Sequence, residues 1–224
     1  MRLYAGPSTH FIRDTGHNQI AEKLRAAFFE QYRFDPPPSE INAWRNSLRA
    51  MAQVFEQGDL KDHGVLLEYQ LPLTSKRIDC MVTGRDGERR DQAVILELKQ
   101  WDRAHEAVGD KLVTTWLGGT EREVLHPSAQ VGQCQMYLED THTAFHEGAQ
   151  PVRLSSCSYL HNYFPADGDL LFAAPFQPLI ERHPLFTADD VSPLKDFLAT
   201  RLEAGEGIEV LRRWRRAATA PARS

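Results

Sequence analysis

The stretch AVILELKQW, residues 93–101, sets Glu97 and Lys99 two positions apart inside a run that otherwise reads as a buried β-strand. Side chains alternate along a strand, so Ile95, Glu97, Lys99 and Trp101 share one face while Val94, Leu96 and Leu98 line the other. An unpaired carboxylate buried there would cost roughly a few kcal/mol, so a cation, hydrogen bonds or exposure at the strand end must offset it. A divalent metal ion would do so.

The preceding run, KRIDCMVTG, joins this one through the polar loop RDGERRDQ. A hairpin centred near Glu88 sets Asp79 opposite Glu97, with Cβ atoms about 4.5–5.5 Å apart, close enough to share one Mg²⁺ and unfavourable without it. Counting back through PLTS, a turn centred between Leu73 and Thr74 brings Glu68 opposite Asp79; a slip of one residue brings Tyr69 there instead. Glu68 therefore stands as a third, weaker metal candidate, with Lys76 and Arg77 as alternative salt-bridge partners.

The elements that must position these residues are legible on either side. QIAEKLRAAFFEQYRF carries helical spacing at Ile20, Leu24, Ala27 and Phe28, and the prolines of DPPP end it near Phe34. Ser39 reads as the N-cap of a second helix, whose Ile41, Trp44, Leu48, Met51 and Phe55 fall on one face before Gly58 stops it. HGVLLEYQLP, KRIDCMVTG and QAVILELKQW follow as three strands. Residues 102–125 show no clean period and read as mostly irregular around Gly118-Gly119.

Pro127 suits the first turn of a third helix through Val131, Met136, Leu138 and Phe145, and PVRLSSCSYLHNY has the texture of a fourth strand. Beyond residue 165 come loops and one or two helices. In the tail, Arg212, Arg213, Arg215, Arg216 and Arg223 read as a solvated helix end or linker ahead of a phosphate-binding arm. His126 and His161 read as polar residues at element ends rather than metal ligands, and Trp44, Tyr159, Tyr163 and Phe164 as core or rim.

Composition limits the function classes. A chain of 224 residues with 42% hydrophobic content can bury a real core. Its formal net charge of -5 is not that of a protein that coats nucleic acid, so any such contact must be local. Three widely spaced cysteines argue against a disulfide framework and fit a reducing compartment. No apolar run approaches the roughly 20 residues of a membrane span, and the first residues lack a signal-peptide block, so a cytoplasmic protein with no membrane partner is expected.

Asp79 followed by Glu97-Leu98-Lys99 resembles the signature of the PD-(D/E)XK nuclease superfamily, with Ile78 in place of the signature proline. Gln133 and Tyr137 of QCQMY, at i and i+4 with Gln130 a turn earlier, resemble the QxxxY motif of the RecB-like branch. Glu40, at the start of the second helix, could be the upstream carboxylate of such folds or a residue complementing the helix dipole; Glu68 ranks above it. The segments QIAEKLRAAFFEQYRF, EYQLPLTSKRIDCMVTG, HPSAQVGQ and SYLHNY resemble the N-terminal nuclease-like region of bacterial Schlafen-group-like DNA/RNA helicase proteins. In those a P-loop ATPase follows, whereas this sequence has no GxxxxGK[ST].

The resemblance implies an α/β protein with a restriction-endonuclease-like core, a mixed sheet flanked by helices, over residues 1–164, a helical C-terminal extension over 165–208 and a basic tail or linker over 209–224. It implies Mg²⁺- or Mn²⁺-dependent phosphodiester hydrolysis, DNA ranking ahead of RNA as substrate, in DNA processing or defence against foreign DNA. Asp79, Glu97 and the backbone carbonyl of Leu98 would hold the metal, and Lys99 would orient the attacking water or stabilise the transition state. Gln133 and Tyr137 would position Lys99 or the strand being cut, and Gln130, Arg212, Arg213, Arg215 and Arg216 would contact nucleic acid. An ATPase or helicase partner, in cis or in trans, is implied as well. The alternative is a nuclease-fold module that binds nucleic acid or docks to such a partner without cutting.

Overall fold

The computed structural model describes residues 2–217. The chain opens with β1 (Tyr4–Pro7) and then α1 (Ser8–Gly16), α2 (Ile20–Tyr32) and α3 (Pro38–Gln57). Arg33 closes α2 in a left-handed conformation and the prolines of 36–38 redirect the chain. Ser39 does not cap α3: Pro37 holds that position with no side-chain cap, and Pro38 and Ser39 form the first turn, where a missing proline N–H costs nothing. Trp44, Leu48, Met51 and Phe55 are buried as the spacing predicts.

Next come β2 (Gly64–Gln70), β3 (Arg77–Arg85) and β4 (Asp91–Lys99), an antiparallel meander matching the three expected strands. Residues 102–125 are not irregular: β5 (His105–Glu106), β6 (Leu112–Leu117) and β7 (Thr120–Leu125) form a small antiparallel sheet that turns at Gly118 and Gly119, both at positive φ. After α4 (Pro127–Thr141), with Pro127 in its first turn, β8 (Arg153–Leu160) returns parallel to β4. The rest comprises α5 (Gln177–Arg182), β9 (Leu185–Thr187), α6 (Val191–Leu202) and α7 (Gly207–Arg216).

The main sheet is mixed, in the order β1-β2-β3-β4-β8-β9. One face packs on α1, α2, α3 and α6 through Phe11, Leu24, Met51, Leu67, Cys80, Leu96 and Leu198. The other packs on α4 and α7 through Leu66, Met81, Ile95, Val131, Leu138, Leu211 and Trp214. The protein is thus α/β, a mixed sheet flanked by helices. A third cluster around Trp101, Val113, Leu160 and Phe176 joins the small sheet to the sheet end.

Two expectations for the later residues change. The segment beyond 165 is not only helical: β9 pairs parallel with β8, and α6 packs against α3. The basic segment is not a solvated linker through residue 217, because α7 is an amphipathic helix whose Val210, Leu211 and Trp214 are buried against β2 and β3. Arg223 and the rest of 218–224 lie outside the described residues. Cys80, Cys134 and Cys157 are buried and free, and among the described residues no helix is long and apolar enough to cross a membrane.

Candidate active site

The site forms where two regular ladders stop being regular. Pairs between β3 and β4 run from Arg85–Asp91 to Cys80–Leu96, and the same register extended by one residue sets Asp79 against Glu97, as the hairpin count predicts. The ladder ends at that level: the backbone N–H of Leu98 donates to Asp79 Oδ2 at 2.8 Å instead of to a strand carbonyl. On the other side, the β2–β3 register reads Leu67–Cys80 and Tyr69–Ile78, which places Glu68, not Tyr69, level with Asp79.

Glu68 itself adopts φ +54°, a left-handed conformation unusual for a non-glycine residue in a strand. The alternation of faces breaks there. Leu67 and Cys80 pack into one core while Tyr69 and Ile78 pack into the other, although each pair is two residues apart along its strand. The distortion leaves Glu68 and Asp79 lining one small cavity of about 100 Å³ with Glu40, Trp44, Arg77 and Leu98. Backbone conformations of this kind persist where the surroundings over-determine them.

Glu97 is held from two sides. Lys99 Nζ lies 2.7 Å from Glu97 Oε1, and Gln130 Nε2 of α4 donates to the same oxygen at 2.5 Å. Lys99 also lies over the Trp101 ring, 5.7 Å from its centroid. Burial works against the Lys99 charge, but Glu97 and then Asp79 more than offset it, so its pKa is raised and the ammonium persists.

The carboxylates carry the strain. Burial first, and then the facing Glu97, push the Asp79 carboxyl up to about 7 against the pull of Lys99, the Leu98 N–H and Arg77. Burial and Asp79 push Glu68 up to about 8, with Arg77 opposing. Arg77 reaches Glu68 Oε2 through Nε and Glu40 Oε1 through Nη2, the latter at 2.6 Å. Glu40 thus enters the same cluster, linked through Arg77.

Hard carboxylate oxygens at this spacing suit Mg²⁺ or Mn²⁺, which retain several waters and take only one or two protein carboxylates. Asp79 and Glu97 fit that role: they come level where the β3–β4 ladder opens, and among the described residues Asp79 has no cation at ion-pair distance. Glu68 fits less well because Arg77 already engages it. Among the described residues no group of three His, Cys, Asp or Glu side chains is gathered for a metal. A bound ion would therefore rely on two side chains, with the Leu98 carbonyl, water or substrate completing its shell.

The helix motif sits elsewhere than expected. Gln133 Oε1 accepts from Lys76 Nζ at 2.5 Å and the Tyr137 hydroxyl donates to the Pro72 carbonyl, so both pin the turn between β2 and β3. Among the described residues neither bonds to Lys99, and it is Gln130, expected at the nucleic acid, that touches Glu97. The arginines of α7 also divide: Arg213 pairs with Asp91, whereas Arg215 lies beside Arg2.

His126 caps α4 by accepting from the Ser128 N–H and stacks on Phe176, an architectural role. His161 Nε2 meets Ser47 Oγ at 3.0 Å, and Gln100 also reaches Ser47, which lines the carboxylate cavity. Trp44, Tyr159 and Tyr163 are buried, and Phe164 is exposed at the rim. Arg77 is the salt-bridge partner of Glu68 that the sequence offered as the alternative to a metal, whereas Gln100 and Ser47 escaped the sequence reading as site residues; only the adjacency of Gln100 to Lys99 signalled either. No protein-family model, curated protein or solved structure matches the chain, so its chemistry is inferred from this geometry.

Proposed function

We propose that this chain is a metal-dependent nuclease that hydrolyses phosphodiester bonds, with DNA as the first substrate to test, and that its sheet and helices form a restriction-endonuclease-like core of the PD-(D/E)XK type. The observation that carries this reading is the convergence of Asp79, Glu97 and Lys99 where the β3–β4 ladder opens, with Gln130 delivered onto Glu97 from α4.

Asp79 and Glu97, with the Leu98 carbonyl, would hold Mg²⁺ or Mn²⁺. When bound, the ion would lower the pKa of a coordinated water and offset charge building on the phosphoryl group. Lys99, kept protonated by its carboxylate neighbours, suits electrostatic stabilisation of the developing oxyanion rather than proton abstraction. Gln130 fixes the Glu97 rotamer, leaving the other oxygen of that carboxylate for the ion. Gln133 and Tyr137 act at one remove, by fixing the turn that carries Lys76 and Arg77.

A second reading is favoured by the engagement of Glu68 with Arg77: a nuclease-fold module that binds nucleic acid, or an ATPase or helicase in cis or in trans, without cutting. The deciding experiment is cleavage of plasmid and single-stranded DNA with Mg²⁺, Mn²⁺ or EDTA, comparing the intact protein with Lys99→Ala. Metal-dependent cutting that falls by about 10²–10³ in the variant is expected. Equal DNA binding by both proteins, with no cutting by either, would overturn the catalytic reading in favour of the module.

A further inference from the structure

The helix α7 runs along the sheet toward the carboxylates. It starts where Gly207 lies against Gly64 and Thr83, and it ends with Trp214 packed edge-on to Tyr69, next in sequence to Glu68. Its last turn brings Arg215 to Arg2, and the two guanidinium groups line one cleft of about 410 Å³ with Leu3, Tyr4 and Ala5. Burial and then Arg215 lower the Arg2 pKa, so the like charges repel each other there.

On α7, Arg213 is matched with Asp91, whereas Arg212, Arg215 and Arg216 have no acidic partner among the described residues, and of these Arg215 converges with Arg2. Arg2 and Arg215 have no acidic partner among the described residues, in a chain whose 31 Asp and Glu outnumber its 26 Lys and Arg. Two unmatched guanidinium groups converging on one cleft present the fork geometry that phosphate oxygens accept.

The location matters as much as the charge. Continuing the β1–β2 register, Tyr4 opposite Leu67, by two residues sets Arg2 level with Tyr69, at the same end of the sheet as Glu68 and Asp79. From β1 to β4 is three strand spacings, about 14 Å, a span of a few nucleotides along one strand. We propose that Arg2 and Arg215 form a phosphate site, and that its ligand is a backbone phosphate of the nucleic-acid strand whose reacting bond lies at Asp79 and Glu97. The identity of that ligand rests on the nuclease reading above; the phosphate site itself does not.

The test is done in EDTA, so that cutting plays no part. Fluorescence anisotropy would follow a labelled oligothymidylate binding to the intact protein, to the double variant Arg2→Gln/Arg215→Gln, and to Arg153→Gln, an exposed arginine at the opposite end of the sheet. Roughly tenfold weaker binding by the double variant alone is expected, with the slope of log affinity against log salt reduced by about 0.7 per lost phosphate contact. Thermal denaturation with inorganic phosphate supplies the second arm: phosphate should stabilise the intact protein and not the double variant. Unfolding curves without ligand guard against misfolding.

Equal oligonucleotide and phosphate binding by the intact protein and the double variant would overturn the proposal. Phosphate binding that depends on the pair, without oligonucleotide binding that does, would overturn the strand assignment and leave a site for a free phosphate group. If the double variant binds normally while Lys99→Ala alone abolishes cutting, this inference fails and the nuclease reading stands. If the pair governs binding but the intact protein never cuts, the phosphate site stands and its assignment to a strand being cut falls with the nuclease reading.

Discussion

At the level of single residues, the site is a balance of buried charge. Asp79 faces Glu97 and Glu68 with less positive charge than the three carboxylates require, and such like-charge pairs are costly in a partly buried setting. Asp79→Asn keeps an oxygen for the Leu98 N–H and removes the repulsion. It should therefore abolish cutting while raising the melting temperature at pH 8 by roughly 2–6 °C in metal-free buffer, read by differential scanning fluorimetry. An unchanged or lower melting temperature would argue that the Asp79 charge is already compensated. Arg77 is the opposite case, a cation shared by Glu40 and Glu68. Arg77→Met should lower unfolding free energy by about 2–4 kcal/mol in urea titrations, and adding Glu68→Gln should recover part of that loss.

Glu97 and Lys99 were legible because charges inside an apolar run demand a reason. Asp79 and Glu68 were legible because loop midpoints fix antiparallel register. Arg77 was legible as a partner of Glu68 but not of Glu40, which only the packing of α3 brings within reach. Gln130 and Gln133 were both noticed, but Gln130, expected at the nucleic acid, meets Glu97, and Gln133, expected beside Lys99, meets Lys76: helix spacing gives the shared face without saying which of its glutamines reaches the carboxylate.

Among the elements, α7 shows how a pattern can be present and still misread. Gly207, Val210, Leu211 and Trp214 follow helical spacing, but four arginines among them lower the mean hydropathy and suggest a solvated segment. The β6–β7 hairpin was missed for another reason: β7 is largely exposed, so no apolar alternation marks it. The contact between α7 and the residue after α4 has a testable pH signature. His142 stacks on Trp214, ring centroids 4.9 Å apart, and burial, then His146, lower its pKa from 6.5 to about 4. Between those values the unfolded chain binds the proton that the folded protein excludes, so this contribution is complete above pH 6.5 and is lost as pH falls toward 4. His142→Phe keeps the stacking and removes the titration. Its stability should decline less than that of the intact protein between pH 6.5 and 4.5 in parallel urea titrations; identical slopes would assign the acid sensitivity elsewhere.

Over the whole molecule, the helices on both faces make the sheet an internal layer, and α7 completes one of those faces from the far end of the sequence. Its seat depends on glycine: a Cβ on Gly207 would fall 2.0 Å from the Thr83 carbonyl oxygen and 2.3 Å from the Gly64 nitrogen. Gly207→Ala must push α7 off the sheet, so a drop in melting temperature of roughly 5 °C or more is expected, together with dye binding to newly exposed apolar surface. A variant that melts with the intact protein would show that α7 can shift without loosening the core. From the later residues, β9, α6 and α7 all contribute to the layers around the main sheet.

The position of α7 in the chain also sets an order of events during synthesis. Leu66, Tyr69 and Met81, which α7 covers, leave the ribosome long before it does, so a sheet that has already paired its strands must wait with an apolar strip open to water and to neighbouring chains. For that interval the protein depends on whatever holds nascent chains apart, and a pause in translation before residue 207 lengthens it. The cell meets the molecule first as a half-covered sheet, and becomes able to concentrate it safely only after α7 has been made.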